Sequence, residues 1–290
     1  MSTRRLALLA GACLWLAAAQ VSAAETYNTC AGFIDTLPAN ITTQGTWCLR
    51  HDLSTAITSG NAITINTNNV TIDCNDFKLG GLAAGAGTEA FGIYAGNRRN
   101  ATVRRCNIRG FYRGVQFPGS AGGGHVIEDN RFDSNTAFGV YVRGDGSVLR
   151  RNQFTDTGGS TALTSYAIGL YVVDAVDVLD NTVSGVLPSG DGSGNGDAYG
   201  IYISSNPNGS IGGNRVRGLV KLGTGVAYGI YNIVSGRISL DGNQVIGDGS
   251  AGSIGLRCSS ASGSTKDNII NGFATGIDTC TNNGGNVIKP

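Results

Sequence analysis

Charged residues and histidines are scarce in this sequence of 290 residues. Charged side chains make up 14% of it, the formal net charge is +1, and the two histidines are His51 and His125. Loss of Arg4 and Arg5 with an N-terminal leader changes the net charge from +1 to −1. Such a chain has no general attraction for nucleic acid or anionic lipid, so neither is expected as a partner. Because no second histidine is near His125, a histidine-based metal site is not expected.

A membrane-spanning run is also lacking. The longest apolar stretch, from Leu6 to Ala19, is shorter than the roughly 20 residues that a transmembrane helix needs. It follows Arg4 and Arg5 and precedes the small residues 21–23, which is the pattern of a secretory signal peptide. We therefore predict a signal peptide over residues 1–24, a secreted or periplasmic protein, and no membrane attachment after cleavage.

Helical periodicity is absent, and a short repeated phrase takes its place. The phrase is a small residue, an apolar or aromatic residue, glycine, a branched aliphatic residue and often tyrosine. Full copies lie at residues 90–94, 137–141, 167–171, 198–202 and 227–231, and looser copies at 113–116, 253–257 and 274–278. No copy can bury an apolar face by itself, so the copies must stack on one another.

A second anchor, an asparagine between apolar residues, lies between the copies. Its positions are Asn75, Asn130, Asn152, Asn181, Asn214, Asn243 and Asn268, with Cys106 in the same place in one repeat. Two anchors imply at least two strands per turn, in parallel coils of roughly 22 residues that rise about 4.8 Å each. The stacked asparagines are expected to bond one another as a ladder. The sequence thus predicts an all-β solenoid of roughly 8–9 coils.

The repeated phrase predicts a row of phenols on one strand face. Alternation that buries the aliphatic residue sends the next side chain outward. The tyrosines concerned are Tyr94, Tyr141, Tyr171, Tyr202 and Tyr231. Tyrosine offers a rigid apolar surface with a polar tip, which suits sugar rings. The alternative is a structural stack covered by inserted loops, since the Gly-rich and Ser-rich insertions at 157–166, 186–197 and 218–226 flank this strand.

Polar residues near the ends of these strands give weaker candidates. Arg143, Tyr171 and Asp174 fall close enough in the repeat to meet, so they are candidate catalytic residues. Asp174, Asp177 and Asp197 lie in an acidic stretch, and Ca²⁺ favours several carboxylate oxygens. Both sets are also compatible with a solvated outer surface. No cofactor is predicted, with calcium as the one optional ligand.

Charge is divided along the chain. Residues 98–151 contain ten arginines against four acidic residues, whereas residues 152–197 contain aspartates and no lysine or arginine. Guanidinium groups of the first segment can bind the carboxylates of an acidic polymer. Outer columns that keep a long β stack soluble are the alternative.

Six cysteines remain after the leader, and an even number in an exported chain implies disulfides. Partners about one coil apart reach the Cα separation that a disulfide needs. The expected pairs are Cys30 with Cys48, Cys74 with Cys106, and Cys258 with Cys280. Two of these pairs are one residue out of register, so the exact pairing stays open.

The N-terminal part carries a family resemblance. The segments Leu37-Pro38, Ile41-Thr42-Thr43, Trp47-Cys48-Leu49 and Asn69-Val70-Thr71-Ile72-Asp73-Cys74-Asn75 are present. They resemble the opening of right-handed parallel β-helix repeat proteins of the pectate-lyase-like architecture, which include pectate lyases, polygalacturonases, alginate epimerases and periplasmic β-helix proteins of copper-enzyme maturation. The resemblance covers nearly the whole mature chain and implies a right-handed single-stranded parallel β-helix over 61–290, with an N-terminal cap over 25–60.

The catalytic motifs of those enzymes do not match. Asn181-Thr182 is followed by Val183 instead of aspartate, Arg215-Val216-Arg217 lacks the proline of the lyase motif, and no Asp-Pro-His-Asp strand occurs. We therefore expect an exported β-helix protein that binds an extracellular polysaccharide, acidic polymers included. The alternatives are a polysaccharide lyase, epimerase or hydrolase acting on uronate polymers, and a structural or adhesion module without catalysis. The sequence leaves the oligomeric state open.

Overall fold

The computed structural model of the protein describes residues 27–205 and 208–290. The predicted signal peptide, residues 1–24, lies outside the described residues. Within them the chain forms 31 short strands and one 3₁₀ turn, Leu82–Ala84. No helix of this part is long and apolar enough to cross a membrane.

The strands form three sheets, here called A, B and C. Sheet A contains β1 (Cys30–Ile34), β3 (Gly45–Leu49), β6 (Val70–Asp73), β9 (Ala101–Arg104), β12 (Val126–Glu128), β15 (Ser147–Arg150), β18 (Val176–Leu179), β21 (Ser210–Gly212), β24 (Ser239–Asp241), β27 (Ser264–Lys266) and β30 (Thr281–Asn282). Sheet B contains β2 (Ala39–Ile41), β5 (Asn61–Ile65), β8 (Phe91–Tyr94), β11 (Arg113–Phe117), β14 (Phe138–Arg143), β17 (Tyr166–Val173), β20 (Asp197–Ser204), β23 (Ala227–Asn232), β26 (Ile254–Cys258) and β29 (Thr275–Asp278). Sheet C contains β4 (Leu53–Ser54), β7 (Lys78–Gly80), β10 (Asn107–Arg109), β13 (Arg131–Asp133), β16 (Gln153–Gly158), β19 (Thr182–Leu187), β22 (Arg215–Leu219), β25 (Gln244–Ile246), β28 (Ile269–Asn271) and β31 (Val287–Lys289).

The chain visits the sheets in the order B, A, C and then returns to B. Each strand pairs in parallel with the strand one coil before and one coil after it, as β17 does with β14 and β20. The ten strands of sheet B are separated by nine steps, so the solenoid makes about nine turns. The predicted all-β parallel β-helix is confirmed.

The N-terminal end combines a covering strand with a first coil. β1 pairs with β3 and adds an eleventh strand to sheet A. β2, β3 and β4 pair in parallel with β5, β6 and β7. Strands of the helix thus begin inside the segment 25–60 that the sequence assigns to the cap.

The core is a set of aligned columns inside the three sheets. The aliphatic residue of the repeated phrase forms one column, and Val140, Leu170 and Ile201 within it are completely buried. On sheet C, the rings of Phe132 and Phe154 stack at 4.8 Å. Each coil covers the apolar side of the next, so burial and strand pairing require one another.

Glycine in the phrase marks a break in strand alternation. A Cβ at Gly200 would lie 2.3 Å from Cγ1 of Val216 and 2.5 Å from the carbonyl oxygen of Gly229. The position therefore faces the interior, as does Ile201 directly after it. Two successive inward positions leave Tyr199 and Tyr202 on the same outer face, where their rings lie 5.0 Å apart.

The predicted asparagine ladder is present from Asn130 onward, whereas the predicted member Asn75 bonds the carbonyl of Leu49 and the side chain of Arg105. The side-chain amide of Asn152 donates to Oδ1 of Asn181 at 3.0 Å, and the backbone N–H of Asn152 donates to the same oxygen. The amide of Asn181 in turn donates to the carbonyl of Leu149 at 2.9 Å. The series runs through Asn130, Asn152, Asn181, Asn214, Asn243 and Asn268 and ends at Asn286. Each buried amide thus satisfies the turn of its neighbouring coil.

Three disulfides join neighbouring strands or coils near the two ends. The pairs are Cys30–Cys48, Cys74–Cys106 and Cys258–Cys280, with Cα separations of 5.8, 4.7 and 4.9 Å. They are the pairs that the spacing predicts. Bonds in these places restrain coils that have fewer stacking neighbours.

His125 is part of the packed interior. Its side chain is 1% exposed, its ring lies 4.8 Å from that of Phe117, and Nδ1 accepts the backbone N–H of Ala101. Burial lowers the pKa of His125 to about 4. The neutral imidazole is therefore a structural acceptor at a turn.

We predict that Asn181→Ala lowers the free energy of unfolding. The substitution removes the acceptor of the buried N–H of Asn152 and of its side-chain amide, and it removes one donor to the carbonyl of Leu149. Each buried donor left unpaired is expected to cost about 1–3 kcal/mol. Urea unfolding followed by circular dichroism measures the change. Asn40→Ala, at an exposed position of β2, is the control. Equal stability of the two variants would contradict a supporting role of the ladder.

Candidate functional site

Tyrosines of four successive coils lie side by side on the outer face of sheet B. Tyr141 pairs in register with Tyr171, Tyr171 with Tyr202, and Tyr202 with Tyr231. The ring centroids are 4.8, 4.8 and 5.8 Å apart along this series. The repeat therefore produces the predicted tyrosine column over these four coils.

Tyr94 is separated from that column. Its register partner in the next coil is Gln116, which in turn pairs with Tyr141. Gln116 is 6% exposed, and the ring of Tyr94 stacks instead on Phe91 at 6.1 Å. The looser copy of the phrase at 113–116 thus interrupts the predicted row of five.

A second outer column runs beside the tyrosines, and the sequence analysis missed it. It is made of the residues that precede each glycine of the phrase. Its members are Phe91, Arg113, Phe138, Ile168, Tyr199 and Tyr228. Phe138 and Ile168 are each 1% exposed, yet they form a cluster apart from the main core. The signal is the aromatic residue before glycine in several copies, which strict alternation alone would place in the interior.

The aromatic rings of the two columns contact one another. Tyr141 with Tyr171, and Tyr171 with Tyr202, meet edge to face at interplanar angles of 78° and 80°. Tyr199 and Tyr228 are parallel, at 2° and 5.0 Å. Such contacts stabilise the two columns. They leave ring edges and hydroxyl tips, more than ring faces, for contact with a ligand.

A pit opens where the second column lacks a ring. Ile168 occupies the position between Phe138 and Tyr199. The pit has a volume of about 170 Å³ and is lined by Tyr166, Ile168, Tyr171, Tyr199 and Tyr202. Four phenols thus surround one aliphatic side chain.

Three of the phenols around the pit, Tyr166, Tyr199 and Tyr202, have a raised pKa. Burial raises the pKa of Tyr202 to about 12 and also raises the pKa of Tyr166. Burial, with the neighbouring Asp197 carboxylate, raises the pKa of Tyr199 further. The Tyr199 hydroxyl donates to Asp197 at 2.9 Å, and that of Tyr171 bonds Ser204 at 3.1 Å.

Arg113 stands in the second column in place of a ring. Its guanidinium carbon lies 4.3 Å from the ring centroid of Phe138 and 5.5 Å from that of Tyr141. Nη1 donates to the side-chain oxygen of Gln116 at 2.7 Å, while Nε is buried without a partner. Burial lowers the pKa of Arg113, but arginine stays charged at neutral pH. No carboxylate within residues 27–205 and 208–290 forms an ion pair with it.

The three candidate catalytic residues lie near one another, and two of them are paired. Nε of Arg143 donates to Oδ2 of Asp174 at 2.8 Å. The carboxylate raises the pKa of Arg143, and Tyr171 contributes at longer range. With its carboxylate bonded to arginine, Asp174 is poorly placed to accept a proton from a substrate.

The candidate calcium ligands are not brought together. Asp174 pairs with Arg143, Asp177 accepts the N–H of Ser210, and Asp197 accepts from Tyr199 and Val226. In the described part of the chain, no group of three or more histidine, cysteine, aspartate or glutamate side chains is arranged to hold a metal. These aspartates fix turns and strands instead.

Most arginines of the basic segment are used in ion pairs between coils. Arg104 and Arg105 both bond Asp73, a carboxylate that is almost fully buried, and these contacts hold the pKa of Asp73 below its usual range despite burial. The other pairs are Arg109 with Asp133, Arg143 with Asp174, and Arg150 and Arg151 with Glu128 and Asp129. The Arg257–Asp278 pair in the tyrosine column is also formed, at 3.4 Å. The segment is therefore largely neutralised within the fold.

A polar groove of about 780 Å³ lies where sheet B turns into sheet A. Its walls include Arg99, the glycine-rich segment 120–124, Arg143, Asp145 and Asp174. Arg99 donates to the carbonyl of Ala121 at 3.2 Å. The groove adjoins the end of the tyrosine column through Arg143, two residues after Tyr141.

A family model described as right handed beta helix region matches residues 41–183. The chain is a right-handed parallel β-helix repeat protein. The hand that the sequence resemblance implies is thereby confirmed. No curated protein matches the sequence of this β-helix.

Several solved structures resemble the β-helix. The tailspike protein of E. coli bacteriophage HK620, in complex with a pentasaccharide, aligns with a TM-score of 0.52 and 12% identity over 90% of this chain and 60% of its own. The Dettilon tailspike protein aligns with a TM-score of 0.42 and 13% identity, over 88% of this chain and 56% of its own. An alginate lyase from Paenibacillus sp. str. FPU-7 aligns with a TM-score of 0.37 and 11% identity, over 87% of this chain and 97% of its own. At such identities the likeness concerns the fold alone, and the chain spans 60% of the length of the HK620 tailspike.

We predict that Tyr202 ionises near pH 12 in the folded protein, about two units above a solvated phenol. Its raised pKa stabilises the fold below pH 10, and this contribution is lost as pH rises from about 10 to 12. The difference in phenolate absorbance between wild type and Tyr202→Phe during alkaline titration measures the value. The urea-unfolded protein is the control, since its phenols should ionise near 10. Ionisation of Tyr202 at that pH in the folded protein would contradict its burial.

Proposed function

We propose that this β-helix protein acts outside the cytoplasm and binds a polysaccharide along the outer face of sheet B. The observation that carries the proposal is the pair of adjacent aromatic columns on that face, with an unfilled pit between their rings. Aromatic edges and phenol hydroxyls supply the apolar and hydrogen-bonding contacts that sugars require.

An extracellular location is supported by two features. The three disulfides are of a kind that persists in oxidising compartments. Residues 1–24 have the composition of a secretory signal. Both are compatible with a secreted or a periplasmic protein.

The comparison with the HK620 tailspike supports the choice of ligand class at a coarse level. That protein has a similar fold and is found with a bound pentasaccharide. The architecture can therefore carry a saccharide. The particular residues proposed here rest on the geometry of this chain alone.

Arg113 favours an acidic polysaccharide. It is a partly buried cation among aromatic rings, with a polar neighbour in Gln116 but no acidic one in the described part of the chain. A sugar carboxylate would provide the charge-assisted hydrogen bonds that the site lacks. The lyase and epimerase alternatives have less support, because Arg143 and Asp174 bond each other.

We predict that the double substitution Tyr171→Ala and Tyr202→Ala weakens retention of the wild type's polysaccharide. Each lost aromatic contact should cost about 0.5–1.5 kcal/mol, or roughly twofold to tenfold in affinity. Affinity electrophoresis in gels that contain alginate, polygalacturonate or a neutral glucan measures retention. Ile246→Ala, an exposed apolar residue of sheet C, is the matched control. If no polymer retards the wild type, the chain is a structural module instead. Release of unsaturated uronate from a polymer would identify a lyase.

We further predict that Arg113→Gln weakens retention of acidic polymers and leaves retention of the neutral glucan unchanged. Loss of a charged hydrogen bond should cost about 1.5–3 kcal/mol, which is tenfold or more in affinity. Arg131→Gln makes the same change of charge at an exposed position of sheet C. Equal effects of the two substitutions would show a general charge effect and not a site.

A further inference from the structure

We propose that the pit at Ile168 holds the acetyl group of an acetylated sugar. This inference rests on the proposed function, since it takes a polysaccharide on the face of sheet B as given. It specifies which substituent of the sugar the face recognises and where on the face the polysaccharide is held.

The pit exists because of one residue in one column. The neighbours of Ile168 in the second column are the aromatic residues Phe138 and Tyr199. The ring of Tyr199 stacks in turn on that of Tyr228. Ile168 is shorter than a ring and is 1% exposed, whereas the four tyrosines around it are half-buried. The missing ring leaves the volume of about 170 Å³. Such a volume is below the roughly 300–1,000 Å³ of pockets that enclose whole ligands, so it suits a substituent of one sugar.

The walls and rim of the pit have a defined chemistry. Ile168, which is 1% exposed, forms the floor, and Tyr171 and Tyr199 are among the residues that line the walls. The Tyr171 and Tyr199 hydroxyls are already bonded to Ser204 and Asp197.

Two other hydroxyls at the rim are free to donate. Within the described ranges, those of Tyr166 and Tyr202 have no hydrogen-bond partner, and neither oxygen is a buried atom without a partner. Both phenols are protonated at neutral pH, since an unperturbed phenol has a pKa of about 10 and burial raises the pKa of both further. The rim therefore offers two donors to a carbonyl oxygen.

An acetyl group matches this arrangement. Its methyl group is apolar and fits against aliphatic and aromatic carbon, while its carbonyl oxygen accepts a hydrogen bond without donating one. A plain sugar hydroxyl would bring a polar group into an apolar floor, which is unfavourable unless it is bonded there. The acetyl group can come from an N-acetylated or an O-acetylated sugar, and the experiment separates the two.

The test compares polymers that differ in acetylation. N-acetylated chitotriose is paired with cellotriose, which has the same backbone and a hydroxyl in place of each acetamido group. O-acetylated xylan is paired with the same xylan after mild base. We expect the wild type to bind the acetylated member of one pair more tightly, as measured by calorimetry or gel retardation. The pair that shows the difference identifies the acetyl group as N-linked or O-linked. Equal binding within both pairs overturns the proposal.

Substitutions then locate the effect. Tyr166→Phe and Tyr202→Phe remove one rim hydroxyl each and should reduce the preference roughly twofold to tenfold. Ile168→Phe restores a ring to the column and should abolish the preference. Tyr94→Phe, on the same face but outside the pit, is the matched control. A preference that survives Ile168→Phe in a folded protein overturns the assignment to the pit.

Saturation-transfer NMR gives an independent readout. The acetyl methyl protons should receive the strongest saturation from the wild type and lose it with Ile168→Phe. The two proposals fail in different ways. If no polymer is retained by the wild type, the proposed function fails. If polymers are retained and the double substitution Tyr171→Ala and Tyr202→Ala releases them, but acetylation has no effect, only the acetyl site fails.

Discussion

Parallel pairing between successive coils is the constraint on which the rest of the structure depends. Each strand takes its hydrogen-bond partners from the coils before and after it, so its register fixes that of every side chain it carries. The inner columns fill the core, the asparagines bond along the turns, and the phenols meet on the outer face. A change that breaks the stacking of one coil therefore disturbs core and surface together.

The fold was predictable from the sequence because equivalent positions in each coil have the same environment. An asparagine that must satisfy a buried turn recurs at that turn, and the glycine that must admit Val216 recurs before the aliphatic residue. Cysteine pairs about one coil apart follow from the same geometry. Asn286, the last member of the ladder, escaped notice because it lies only 18 residues after Asn268, in a shortened coil.

The candidate site was predictable only in part. The tyrosine column followed from alternation, but alternation fails at the glycine, so it does not reveal that Tyr199 and Tyr228 lie on the same outer face as that column. Ring orientation depends on how neighbours pack in three dimensions, which residue spacing does not contain. The same holds for the ion pair of Arg143 with Asp174 and for the isolation of Arg113, since both depend on which charged tips meet.

Because the outer columns keep one register from coil to coil, the number of coils can change the length of the outer face without changing the kinds of side chain on it. Tyr171 and Tyr202 are paired and lie 31 residues apart, and each coil contributes one residue to each column. Duplication of such a unit would lengthen the surface by one step of about 4.8 Å while keeping every contact type already present. Duplication of whole coils in the gene would thus change the length of ligand that the face can contact, without requiring a new type of contact.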